Sequence, residues 1–334
     1  MVIAALVLAE TLRFFGSAGA ESQLTPANER SPLNPDNIAA IPRQTNVADF
    51  SLFAEAAPES RAWKVRMKLR GDASDHAADH LTVGEAYVQV RPTKWLDLTA
   101  GRVIEKWGTG YGWTPTAFVG PAKNPTDPND RRSQYAGRDM IRADFFVKET
   151  SLSLYALEGG DVAARAYRLI GNTDVSLAVH RGDAGISLSR VFGDALELHA
   201  EASTTHVVAG GQYTFRDTNF VFEISHDTNG LTQREWDAFT ESAPGDLLRA
   251  NRAYSPLRMA RTYSFLRIER GIAELIAITN LRDGSTILRA TLSHRLRPSL
   301  SVYLIATEFL GGDESELAYM QVERVITAGV RVYF

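Results

Sequence analysis

The feature that most limits what this chain can fold into is a period of two. In residues 62–70, AWKVRMKLR, Trp63, Val65, Met67 and Leu69 fall on one face and Lys64, Arg66, Lys68 and Arg70 on the other. The last residues repeat the pattern, with Ile326, Ala328, Val330, Val332 and Phe334 alternating with Thr327, Gly329, Arg331 and Tyr333. A helix would scatter both sets around its circumference, whereas an extended strand keeps them on opposite faces. Runs of this kind are read near 61–70, 81–91, 95–105, 138–148, 150–158, 162–170, 174–181, 184–192, 195–203, 206–216, 218–226, 260–269, 272–281, 285–294, 298–309 and 324–334. Gly-Gly-Asp at 159–161, Arg-Gly-Asp at 181–183 and Phe-Gly-Asp at 192–194 separate neighbouring runs with the residues that tight hairpin turns require.

Connection lengths test this reading independently. Counted along the runs, the long connections 71–80, 106–137, 227–259 and 310–323 all fall at one end. The other end has only short turns, at 91–94, 149, 171–173, 193–194, 217, 270–271 and 295–297. A soluble sandwich has no reason to sort its loops in this way, but a transmembrane barrel does. Lipid offers no hydrogen-bond partner, so a sheet inside it has to close on itself. The expectation is therefore all-β: a transmembrane antiparallel up-and-down β-barrel over residues 61–334, of about 16 strands with 18 as the alternative. Residues 49–56, DFSLFAEA, alternate weakly and are read as a lead-in or as part of a longer first hairpin.

Ahead of the barrel, Val2 to Ala9 is apolar and Ala18-Gly19-Ala20 fits an A-x-A cleavage pattern, so residues 1–20 are expected to be a signal peptide. Residues 21–60, with Pro26, Pro32, Pro35 and Pro42, are expected to be an extended periplasmic segment. After the first ten residues no apolar run approaches the roughly 18 residues of a spanning helix, which excludes a helical membrane protein. The formal charge of -4 gives nucleic acid no electrostatic foothold, and the absence of cysteine rules out disulfides and Cys-based zinc sites.

The terminal VITAGVRVYF resembles the C-terminal signature of bacterial outer-membrane barrels, which implies that Phe334 is part of the signal read by the barrel assembly machinery. The block EAYVQVRPTKWLDLTAGRVIEKWGTGYGWTP, residues 85–115, resembles porin-like proteins that carry a G-R-x-x-x-x-W-G-x-G motif, alginate-export-type barrels among them. The resemblance implies passage of something through a barrel in the bacterial outer membrane, with no particular solute specified.

With apolar faces toward lipid, the residues expected to line the pore are Lys64, Arg66, Lys68, Arg70, Glu85, Arg102, Glu105, Arg142, Asp144, Glu197, His199, Glu201, Glu223, Arg289 and Arg331. Closure sets Lys64, Arg66, Lys68, Arg70 and Arg331 side by side as a basic wall, about halfway round from Glu197, His199 and Glu201. Two readings stay open: a transverse field that orients polar solutes, or mutually compensating charges. The long loop is expected to fold into the mouth and constrict it with Lys106, Trp107, Tyr111 and Trp113.

Gly108-Thr109-Gly110-Tyr111-Gly112 resembles a phosphate cradle but lacks the following helix, and NPTDPND departs from the EF-hand spacing. Neither is expected to bind its ion. Glu197, His199 and Glu201 are read as a polar stripe, and no metal or cofactor is expected. No Ser with a neighbouring His and acid stands out, so no chemical step is expected. The expected function is a porin-like channel for small polar solutes. The alternatives are a conduit for a polysaccharide or lipid working with periplasmic partners and, with least support, an outer-membrane hydrolase. The expected partners are outer-membrane lipid, the assembly machinery, and a periplasmic partner or further copies of the chain.

Overall fold

Every strand pairs antiparallel with its neighbours in sequence, and the first pairs with the last, closing an 18-stranded barrel. The computed structural model describes residues 12–58, 60 and 62–334. The strands are β1 (Leu12–Leu24), β2 (Gln44–Ala56), β3 (Trp63–Ser74), β4 (Ala77–Thr93), β5 (Leu96–Val103), β6 (Arg138–Val147), β7 (Thr150–Leu157), β8 (Val162–Ile170) and β9 (Thr173–His180). They continue as β10 (Asp183–Phe192), β11 (Leu196–Ser203), β12 (His206–Phe215), β13 (Thr218–Asp227), β14 (Thr262–Arg270), β15 (Ala273–Asn280), β16 (Thr286–Arg297), β17 (Leu300–Leu310) and β18 (Arg324–Tyr333).

The all-β barrel stands, but with 18 strands and not the 16 preferred from sequence; the added pair is β1 and β2. The expected division at residues 20 and 60 is corrected accordingly. Residues 1–11 lie outside the described residues, but Ala18, Gly19 and Ala20 sit in the middle of β1, paired to β18 on one side and β2 on the other. The small residues that mimic a cleavage site have a packing reason. Gly19 faces inward, and a Cβ there would lie 2.8 Å from the Arg331 guanidinium and 3.1 Å from an Asp49 oxygen. Residues 21–60 likewise hold the end of β1, a loop and β2, so they belong to the wall.

Loop sorting holds with one exchange. The long connections are 25–43, 104–137, 228–261 and 311–323, all at one end. Residues 71–80 are not among them: β3 and β4 run on to a tight turn at Asp75 and His76. The outer wall is apolar, with Ile141, Leu154, Leu177, Leu198, Phe222 and Leu304 all well exposed. At the short-turn end Trp95, Phe192, Tyr213, Phe215 and Phe334 add an outward aromatic girdle. Water would penalise so much contiguous apolar surface, and hydrocarbon flanked by an interface accommodates it.

Three of the long loops form a roof over part of the mouth. Loop 228–261 contains helices α1 (Gln233–Ser242) and α2 (Leu247–Ala253). Thr232 caps α1 in a reciprocal capping box with Glu235. Trp236 is buried with Leu33 of loop 25–43 and Tyr319 of loop 311–323. Glu316, fully buried, accepts from Leu257 N (2.8 Å), Tyr263 Oη (2.8 Å) and Asn280 Nδ2 (2.7 Å), and burial raises its carboxyl above the usual range. The three loops are thus joined to one another by an apolar cluster and tied to the wall by one buried hub.

The closing seam has its own lock. Arg331 of β18 donates to Asp49 of β2 (2.8 Å) and to Ser17 of β1 (3.1 Å), all three inside the barrel. Backbone bonds between Gly16 and Phe334, 2.8 and 3.1 Å, complete the seam at the short-turn end. Arg331→Met leaves Asp49 buried with only the more distant Arg132, 3.9 Å away. Loss of one partner of a buried pair costs about 3–5 kcal/mol. We expect the variant to lose its heat-modifiable gel migration at a distinctly lower temperature than the wild type; an unchanged transition would show that the seam does not depend on this pair.

Candidate functional site: the lumen and its inner loop

Residues 104–137 leave β5 at the long-loop end and fold back inside the barrel. The first anchor is Trp107, 2% exposed, in a cluster with Val103, Val119, Met140, Tyr155 and Leu157. Tyr155 meets it edge-on at 5.1 Å. Trp107 therefore fastens the loop to the wall and does not line the path, a correction to the sequence expectation. An indole in a lumen gains more from burial against the apolar inner patch of β5–β9 than from exposure to water.

The second anchor is electrostatic. Glu201 of β11 is buried in the wall and accepts from Thr109 N (2.8 Å), Gly110 N (3.3 Å), Thr116 N (2.6 Å) and Thr116 Oγ1 (2.7 Å). Glu223 of β13 accepts from Tyr111 N and from Gly112 N (2.8 Å), and its other contact is His199 Nε2 at 2.8 Å. His199 Nδ1 lies 3.2 Å from Glu197, which also accepts from Ser189 Oγ at 2.7 Å. The glycine-rich stretch is an anion cradle after all, but its anions are carboxylates of the barrel's own wall. Gly108 has φ +89, and a Cβ there would lie 2.5 Å from a Glu201 oxygen, so both backbone conformation and space call for glycine. Tyr111 leans on His199, ring centroids 5.6 Å apart, and its hydroxyl bonds Gln212; burial raises its pKa. Trp113 packs against Tyr263 and Phe265, each 6.2 Å away.

The loop then crosses to the other side. Asn124 caps the next turn through its Oδ1, and Asp130 accepts from Gln134 N and Tyr135 N, so the NPTDPND carboxylates and amides largely close turns. Asp127 faces Arg289 of β16 at 3.8 Å, and burial raises its carboxyl pKa. Arg131 pairs with Glu21 of β1 at 2.8 Å and lies 4.4 Å over the Tyr303 ring. Arg132 reaches Glu21 at 3.5 Å, Lys68 donates to Tyr135 O at 2.9 Å, and Gly137 N donates to Gly84 O of β4 at 2.8 Å. Between the first and last of these contacts, the loop touches the wall on every side.

The other expected pore-lining residues separate into groups. Lys64 and Arg66 point inward and share Glu55 at 3.0 and 3.3 Å, and Arg66 also holds Glu85 at 3.1 Å. Arg70 pairs with Asp72 at 2.9 Å. Arg142 bonds Glu105 and Asp144, the latter at 2.8 Å. Arg102 is a correction: it shares the outward face of β5 with Leu98 and Ala100 and is paired with Asp139 at 2.8 Å on the neighbouring strand. Of the two readings left open for the charged lumen, the ion pairs follow mutual compensation. Glu55, Glu85 and Asp49 pair with the cations locally, while the loop and His199 cover the acids. Lys68, Lys106 and Lys123 have no ion pair among the described residues, and Lys106 lies within electrostatic range of the other two. Burial lowers the pKa of Lys123, whose Nζ donates to Gly110 O.

Sequence reasoning missed Lys123, Arg131, Arg132, Glu21 and Asp49. The last two lie in segments assigned outside the barrel, and the loop cations have no periodic neighbours to indicate a facing wall. Between loop, roof and wall is a cavity of about 720 Å³ lined in part by Trp113, Lys123, His206, Asp227, Arg258 and Tyr263.

No family model and no curated protein matches this chain. Among solved structures it is similar to two outer-membrane porins of Pseudomonas aeruginosa. One is OccK5 (OpdH), with TM-score 0.59 and 9% identity over 97% of this chain and 98% of that one. The other is OccD3 (OpdP), with TM-score 0.58 and 9% identity over 97% of this chain and 91% of that one. At such identity the likeness concerns the fold.

Replacing both Glu201 and Glu223 by Leu removes the acceptors of the cradle while keeping the wall filled. Freed from it, the loop exposes the bonds after Lys123, Arg131 and Arg132, and trypsin is expected to cut there in detergent-folded protein while the strands resist. A double variant as resistant as the wild type would show that the cradle does not hold the loop.

Proposed function

We propose that this chain is an outer-membrane channel of porin type, passing small polar solutes through a lumen narrowed by residues 104–137. One observation carries the reading: the closed barrel holds a single loop against its inner wall by side-chain and backbone bonds, a constriction built from the wall inward. An apolar outer belt with an aromatic girdle supports placement in a bilayer, and similarity to outer-membrane porins supports the same class at the level of fold. Phe334, at the seam and in the girdle, suits a terminal signal for barrel assembly.

Local ion pairs neutralise most of the lumen, so selectivity falls to groups that lack them. Lys106 is exposed, and with Lys68 and Lys123 it makes the constriction locally positive. A unit charge about 4 Å from a passing ion is worth about 1 kcal/mol in water-like surroundings, a several-fold bias in permeation. In planar bilayers the wild type should give discrete conductance steps with a preference for anions. Lys106→Glu should move the reversal potential toward cation preference without unfolding the barrel. A folded barrel that never conducts would remove the channel reading, and conductance with an unmoved reversal potential would remove Lys106 from the selectivity site.

A further inference from the structure

Three carboxylates, those of Glu197, Glu201 and Glu223, crowd one patch of inner wall, and Glu201 and Glu223 are 1% and 0% exposed. Glu201 is satisfied by loop donors alone. Glu223 and Glu197 are bridged by one ring, that of His199, whose side chain is fully buried. Both ring nitrogens therefore face carboxylate oxygens. A neutral imidazole carries one N–H and one lone pair, so it can donate to only one of them and would set its lone pair against the other. Only the doubly protonated ring satisfies the geometry.

The same Glu223 oxygen that meets His199 Nε2 also accepts from Tyr111 N, and its second oxygen accepts from Gly112 N. His199 thereby fixes the carboxylate on which the loop is seated. The space for this arrangement is prepared: Gly210 of β12 is the strand partner of His199, and a Cβ there would lie 2.7 Å from the Glu223 side chain.

We propose that His199 is a positioning residue for the constriction: its imidazolium latches Glu223, and loss of its proton at alkaline pH releases the loop and widens the channel. This rests on the channel reading for its consequence, though not for the latch itself. The groups facing the ring or its partners are Glu197 and Glu201 on its own strand, Ser189 on β10, Gln212 on β12, Glu223 on β13, and Tyr111 and Lys123 from the loop; Arg267 of β14, within range of Tyr111, is engaged by Glu269 at 2.9 Å and Glu274 at 2.6 Å. Among the described residues Lys123 is the remaining unpaired cation near these acids, and it sits on the loop, so it departs with the loop and cannot hold Glu223 in its absence. The sign follows: the latch is closed while the ring is charged and opens as pH rises past the point where it gives up its proton.

The test uses two readouts on the full chain. In planar bilayers between pH 6 and 10, the wild type should pass from small steady steps to larger, noisier ones. His199→Gln should already be large and noisy at pH 6, and His199→Lys, which keeps the charge, should stay small across the range. In detergent at pH 8, trypsin should cut the loop of His199→Gln at Lys123, Arg131 or Arg132 and spare the wild type and His199→Lys. If no variant conducts but the proteolysis pattern holds, the channel reading fails and the latch stands. If His199→Gln resists trypsin like the wild type, or conducts like it at every pH, the latch is overturned.

Discussion

The arrangement of the lumen depends on one interaction: backbone N–H groups of a glycine-rich loop closing on carboxylates that a barrel wall has taken out of bulk water. A buried carboxylate without donors is costly, and a loop crossing a lumen has to satisfy its own amides. Each requirement answers the other. Glu201 and Glu223 together take five loop N–H bonds and one hydroxyl, so the wall acids and the loop fold as one unit. The glycines permit it because the carboxylates come so close to the backbone that a side chain at Gly108 would collide with Glu201.

Much of the fold was legible because strands with one lipid face and one lumen face advertise themselves by alternation. Sixteen strands were found in this way, and the sorting of long loops to one end identified a barrel. The misplaced pair shows the limit. In β1 the outward positions Gly16, Ala18, Ala20 and Ser22 are small, so no apolar stripe appears. On the inward face Gly19 leaves room for Arg331 and Asp49 across the seam, a tertiary demand that overrides local pattern. Residues 71–80 erred in the opposite sense: a polar, glycine-containing stretch reads as loop, yet β3 and β4 extend through it above the apolar band.

The site was partly legible. That the long loop enters the lumen followed from its place and stiffness, and alternation correctly turned Lys64, Arg66, Glu197, His199 and Glu201 inward. Alternation fails where a strand ends: Arg102 lies one residue before the last of β5, on the lipid-side face, and a paired Asp139 makes its charge tolerable there. Trp107 illustrates a different limit. Aromatic residues in a loop read equally well as pore lining or as anchor, and the choice depends on whether the facing wall offers an apolar patch, which only the strand neighbours Met140, Tyr155 and Leu157 decide.

Local compensation changes what a charged lumen means. Formal charges on the wall are numerous, yet Arg66 sits against Glu55 and Glu85, Arg142 against Glu105 and Asp144, and Arg331 against Asp49, so their fields largely cancel within a few ångströms. The residual field at the constriction is set by groups without such partners, and two of these, Lys106 and Lys123, belong to the loop. If the barrel conducts as proposed, size and charge selection are therefore not separate properties of it. On the channel reading, any change that unseats the loop from Glu201 and Glu223 widens the path and moves the loop cations, and where the two acids are kept it also strips them of their backbone donors. On the channel reading, opening the loop therefore changes the charge that lines the path as well as its width.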